Sequence, residues 1–207
     1  MNKRHPRTLS VWLAMMGCVV ALPSVAQSLG RVAPEKVEKI SSSLDKRLLP
    51  KGAGNLEVER SQVVAAPGIT FVPVRFQAED KSEGDGPPLM EGPPRKKFYC
   101  GMYQLVDDAP AKFLLVFGVG HTELEGCNGL QAIGAATPHA KYGDLILIYH
   151  AFTLHENFPE PVILSWNDAQ KQYVVNDNLS QFVSTNSTKS YTISNIRSLL
   201  ASRAAKP

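Results

Sequence analysis

The second half of the chain switches between apolar runs and turn residues too quickly for most of its connections to hold a crossover helix. Residues 98–106, 113–119, 145–154, 162–166 and 173–175 read as strands. Between them, Asp107-Asp108-Ala109-Pro110, Lys141-Tyr142-Gly143-Asp144 and Asn167-Asp168-Ala169-Gln170 supply turn-forming side chains. A parallel connection needs about a dozen residues or more, so these short links predict antiparallel pairing. Residues 113–117 and 145–149 are apolar at every position, which predicts central strands covered on both faces.

The first half adds two shorter β-type runs, 55–66 and 68–78. In the second, Val72, Val74 and Phe76 alternate with Pro73 and Arg75, a half-buried pattern in which the proline predicts an edge strand. Ahead of them, Val37, Ile40, Leu44 and Leu48 recur every three or four positions, as on one face of a helix that Pro34 opens and Pro50 with Gly52 closes. The acids Glu35, Glu38 and Asp45 on its polar side favour packing on a core over lying on a membrane surface. Ser190 or Thr192 caps a last helix through Ile193, Ile196, Leu199 and Leu200. Residues 79–97 hold four prolines, three glycines and mixed charges with only Leu89 and Met90 to bury, a composition that predicts a flexible loop. The fold class expected is α+β: a mainly antiparallel β-sheet domain with an N-terminal and a C-terminal helix and one disulfide.

Residues 1–26 carry the pattern of a cleavable signal peptide. Lys3, Arg4 and Arg7 precede an apolar run from 9 to 22, and Pro23-Ser24-Val25-Ala26 places small residues before the expected cut after Ala26. The apolar run is shorter than the roughly 20 residues a bilayer span needs, so no stable membrane anchor is expected. Cys18 follows Met15 and precedes Val19-Val20-Ala21-Leu22, a poor setting for lipid attachment. The remaining 27–207 read as a single globular domain in the periplasm or outside the cell.

Removing the leader changes two other numbers. Of 22 Lys and Arg, three leave with it, so 19 face 19 Asp and Glu. A neutral chain without like-charge runs gives no electrostatic case for nucleic acid as a partner. Of three cysteines, Cys100 and Cys127 remain, and in an oxidising compartment they form the expected disulfide.

No catalytic signature stands out. Cys100 or Cys127 with one of His121, His139, His150 and His155 would make a cell-wall hydrolase, but nothing local marks a thiolate beside its base. His121-Thr122-Glu123-Leu124-Glu125 is the densest polar group; if extended, it projects His121, Glu123 and Glu125 to one side, fit for a divalent metal or a basic partner side chain, while a solvated strand face or loop has the same pattern. Gly118-Val119-Gly120 and the glycines at 126, 129 and 134 miss the spacing of a phosphate-binding loop and read as tight turns. Trp166, Tyr173 and Phe182 fit hairpin or core packing better than a binding face. No metal or cofactor is expected. The function expected is that of a non-catalytic extracytoplasmic binding protein, an inhibitor or immunity-type partner of a secreted enzyme, with His121, Glu123 and Glu125 as its binding residues and another extracytoplasmic protein as its partner.

Overall fold

A computed structural model describes residues 29–79, 96–107, 109–122, 126–137, 142–153, 155–187 and 190–204. The leader, residues 80–95 of the expected loop, Glu123 and Glu125 lie outside them.

The α+β expectation holds, with antiparallel strands throughout, but they form two sheets rather than one. The first sheet takes β1 (Gly30–Arg31), β2 (Gly54–Val58), β3 (Val64–Ala66), β4 (Ile69–Glu79), β5 (Lys96–Val106) and β6 (Lys112–Phe117). The second is a meander of β7 (Gly126–Ala135), β8 (Leu145–Phe152), β9 (Asn157–Asn167) and β10 (Gln172–Val175). Helix α1 (Pro34–Ser43) precedes β2, and α2 (Asp177–Asn186) and α3 (Ile193–Ala204) follow β10. Because each sheet is contiguous in the chain, the strands alternate their side chains between a shared inner face and a private outer one. Phe71, Met102 and Val116 of the first sheet meet Leu147, Val162 and Leu164 of the second. On the outside, α1 covers Val72, Val74 and Phe76, while α2 and α3 cover Ile146, Ile148 and Ile163. The layers run helix, sheet, sheet, helix.

Three devices hold the sheets together. Cys100 on β5 is bonded to Cys127 on β7, with Cα atoms 5.9 Å apart and both residues fully buried. Gln104, also fully buried, acts as a one-residue strand against the open edge of β10: its amide donates to Tyr173 O at 2.9 Å and accepts from Tyr173 N at 2.7 Å. Glu59 accepts from Leu130 N at 2.7 Å, and burial pushes its carboxyl above the usual range against that bond.

Five local expectations are corrected. The first helix ends at Ser43 instead of running on to Pro50, and Leu48 falls in a separate 3-10 turn over Lys46–Leu48. Pro73 does not mark an edge, for β4 lies between β5 on one side and β2 and β3 on the other. β3 pairs with residues 69–71 and β2 with 74–77, so the proline, which has no N–H to give, falls in the gap between them. The glycines at 126, 129 and 134 are not turns but parts of β7. A Cβ at Gly126 would sit 2.3 Å from the Phe152 ring across the ladder, so glycine is what the strand requires there. The expected loop is shorter at both ends, with Glu79 closing β4 and Lys96 and Lys97 opening β5. Finally, α2 was not expected; Asn176 caps it by accepting from Leu179 N at 3.1 Å.

Candidate functional site

Helix α1 is short and ends in Ser41-Ser42-Ser43, whose hydroxyls bond back to carbonyls of its own turns. Among the described residues, no helix reaches the far corner of the first sheet. There a cavity of about 330 Å³ opens, floored by Phe76 and Ala78 of β4, Tyr99 of β5 and Leu115 of β6. The Phe76 and Tyr99 rings lie near parallel, 19° between planes and 5.9 Å between centroids. The Tyr99 hydroxyl donates to Glu79 O at 3.3 Å, and the Lys97 ammonium sits 5.5 Å from the Tyr99 ring centroid. Pro50 and Lys51 form one wall and the turn Gly118-Val119-Gly120 the other. That turn is tight: Thr122 Oγ1 accepts from Gly118 N at 3.0 Å and donates to Val119 O at 2.9 Å. Gly118 has φ of +90°, and a Cβ there would stand 2.6 Å from the Tyr99 ring. The bare backbone lets the wall close on the tyrosine.

His121 hangs from the back of this wall, in a 3-10 turn over Gly120–Thr122 rather than in an extended segment. Its Nδ1 lies 3.1 Å from Asp177 Oδ1 at the start of α2, and its Nε2 lies 3.6 Å from Glu160 Oε1 on β9. Glu160 is 8% exposed and also accepts from Ser184 Oγ of α2. The Glu160 carboxylate raises the imidazole pKa most; burial opposes it, and Asp177 adds to the rise. The knot thus pins the cavity wall, which follows the first sheet, to the second sheet and to α2.

Chemically, the knot is wired for charge and not for attack. In a hydrolytic triad the imidazole stands between hydroxyl and carboxylate and takes the hydroxyl proton. Here the partner of the Ser184 hydroxyl is the Glu160 carboxylate, not the imidazole. Both cysteines are spent in the buried bridge, which leaves neither as a thiolate for the Cys/His hydrolase chemistry considered above. Among the described residues, no group of three or more His, Cys, Asp or Glu is arranged to hold a metal ion.

Of the three residues expected to bind, the structure describes His121 alone, and its neighbours there are Glu160 and Asp177. His150 and His155 are exposed on and beside β8, and His150 pairs in the ladder with Pro159 next to Glu160. Trp166 stacks on Tyr142 with centroids 4.1 Å apart and meets Tyr173 edge-on, while Phe182 of α2 packs against the second-sheet cluster under Arg203 of α3. The cavity was not read from the sequence. Its one legible component was Gly118-Val119-Gly120, a turn as expected, whose partner Tyr99 lies on another strand. No protein-family model matches the chain, nor does any curated protein or solved structure.

Proposed function

We propose that this chain is a non-catalytic extracytoplasmic binding protein and that the corner cavity is where it binds. The observation that carries the reading is the cavity itself: an apolar floor holding the Phe76–Tyr99 ring pair, walled by a turn that the His121 knot holds in place. A preformed apolar recess with a few polar groups at its margin is the usual form of a small-molecule site. The buried disulfide suits an oxidising compartment, and among the described residues no helix is long and apolar enough to cross a membrane.

Indole, a small neutral aromatic, tests the cavity without reference to charge. It should bind by calorimetry and raise the melting temperature with concentration, as any ligand of the native state does. Ala78→Phe, which fills the floor, should abolish both effects. Binding by Ala78→Phe equal to that of the parent would remove the cavity from the account.

A second reading, an inhibitor or immunity-type protein that engages a secreted enzyme, draws on the Tyr142–Trp166 stack, where Tyr142 is 40% exposed. Aromatic pairs at a surface are common anchors of protein interfaces. In that case Tyr142→Ala with Trp166→Ala should release the partner, as should Glu123→Ala with Glu125→Ala, while indole binding stays intact.

A further inference from the structure

The turn that follows β6 is braced from within: Thr122 Oγ1 accepts from Gly118 N, and Thr122 N donates to Val119 O at 3.1 Å. His121 ties it outward to two elements at once, to Asp177 of α2 through Nδ1 and to Glu160 of β9 beside Nε2. The His121 and Glu160 side chains are 14% and 10% exposed, and that of Asp177 is 58% exposed. Gly120 packs on the Asp177 carboxylate so closely that a Cβ there would stand 2.6 Å from Oδ1. We infer that this knot is a proton-operated latch: with the imidazole charged it clasps turn 118–122 to β9 and α2, and with the proton gone it frees the turn while the two sheets stay folded.

Geometry makes the clasp depend on charge. Nε2 is buried and lies 3.6 Å from Glu160 Oε1, beyond hydrogen-bond distance, so coulombic attraction is what joins them. A protonated imidazole can answer both carboxylates, whereas a neutral one keeps a single N–H and turns a lone pair toward the other. Among the described residues no other cation pairs with Glu160. Loss of the proton therefore leaves that buried carboxylate with the Ser184 hydroxyl alone, and opening the turn to water relieves it. Glu160 raises the imidazole pKa above its ordinary 6.5, burial opposes the rise and Asp177 adds to it, so the latch is shut below 6.5 and opens as pH climbs through the raised value. Of the other titratable groups nearby, Tyr149 stands opposite Glu160 in the β8–β9 ladder and the Tyr191 hydroxyl donates to Ser184 O at 3.0 Å. Both phenols are raised above 10, by burial first. His150, next to Tyr149 on β8, is exposed.

Amide hydrogen exchange from pH 6 upward, with each rate corrected for the intrinsic rate at that pH, tests the latch beside an NMR titration of the His121 ring, assigned by its loss in His121→Gln. Protection at Gly118 and Thr122 should fall by about tenfold or more over the interval in which the ring loses its proton, while protection at Ile146 and Ile148 of β8 holds. Asp177→Asn removes one carboxylate from an exposed position and should move both events together to lower pH. His121→Gln should show low protection in the turn at every pH. Protection that stays level through the ring titration, or that falls in His121→Gln as it does in the parent, overturns the latch. A fall shared equally by Ile146 and Ile148 overturns it too, since the whole domain would then be opening. The readout needs no ligand, so it is independent of whether indole enters the cavity.

Discussion

The outer faces of the two sheets differ in how much helix covers them. The second sheet has four strands and carries both α2 and α3, whose Val183 and Ile196 are buried against Ile146, Ile148 and Ile163. The first has six strands and, among the described residues, carries only α1, which buries a single residue, Val37. Apolar side chains face outward from both sheets. On the second they are consumed in packing; on the first, the fully buried Phe76 and the nearly buried Tyr99 floor a cavity that Leu115 also lines. The difference shows how a cavity arises wherever a sheet is apolar over a wider area than the helix packed on it covers.

The strongest way to break this comparison is to remove what the two halves share. Cys100→Ala with Cys127→Ala opens a loop of 27 positions, and the chain-entropy model puts the loss at about 3 to 4 kcal/mol, to be read from urea unfolding. Both outer faces should loosen together, because the bridge joins the sheets from within.

The faces themselves should respond unequally to truncation. Ile163→Ala, in the packed face, should cost about 3 kcal/mol, since it leaves a void that little can fill. Leu115→Ala enlarges a recess already open and should cost about 1 kcal/mol. Equal losses would mean that the cavity face is packed as tightly as the other.

Gln104→Ala sharpens a different point, that the sandwich is closed at β10 by one amide. It leaves Tyr173 N and O buried without partners and should cost about 2 kcal/mol, whereas Gln104→Glu keeps one acceptor and restores part of that.

The smallest effect expected is that of pH on the knot behind the cavity wall. The His121 pKa in the folded state is raised above its ordinary 6.5. The group therefore contributes stability in full below 6.5, and the contribution is lost as pH rises through the higher folded value. Thermal melts from pH 6 upward should show this decline in the parent protein and not in His121→Gln. A decline of the same slope in the variant would assign it to another group.

The sequence was most legible where contacts are local. Strands joined by short turns announced their antiparallel pairing, and Cys100 with Cys127 announced the bridge because no other cysteine follows the expected leader. It was least legible where a residue answers to a distant neighbour. Gly126 reads as a turn until the Phe152 ring opposite it is known, and Pro73 reads as an edge until the two short strands beside β4 are seen to divide around it. The site follows the same division. His121 stood out as a polar residue, but its carboxylates come from β9 and from the start of α2, 56 residues away in the case of Asp177. The cavity depends on where α1 ends relative to three strands, a relation that no periodicity records.

Methyl-resolved NMR of the protein titrated with indole bears most directly on the contrast between the faces. The methyls of Leu115 and Val119 should shift together and saturate at one occupancy, while those of Ile146, Ile148 and Ile163 beneath α2 and α3 stay fixed. Shifts centred on the second face, or none on the first at saturating probe, would contradict the claim that incomplete helix cover makes the binding site.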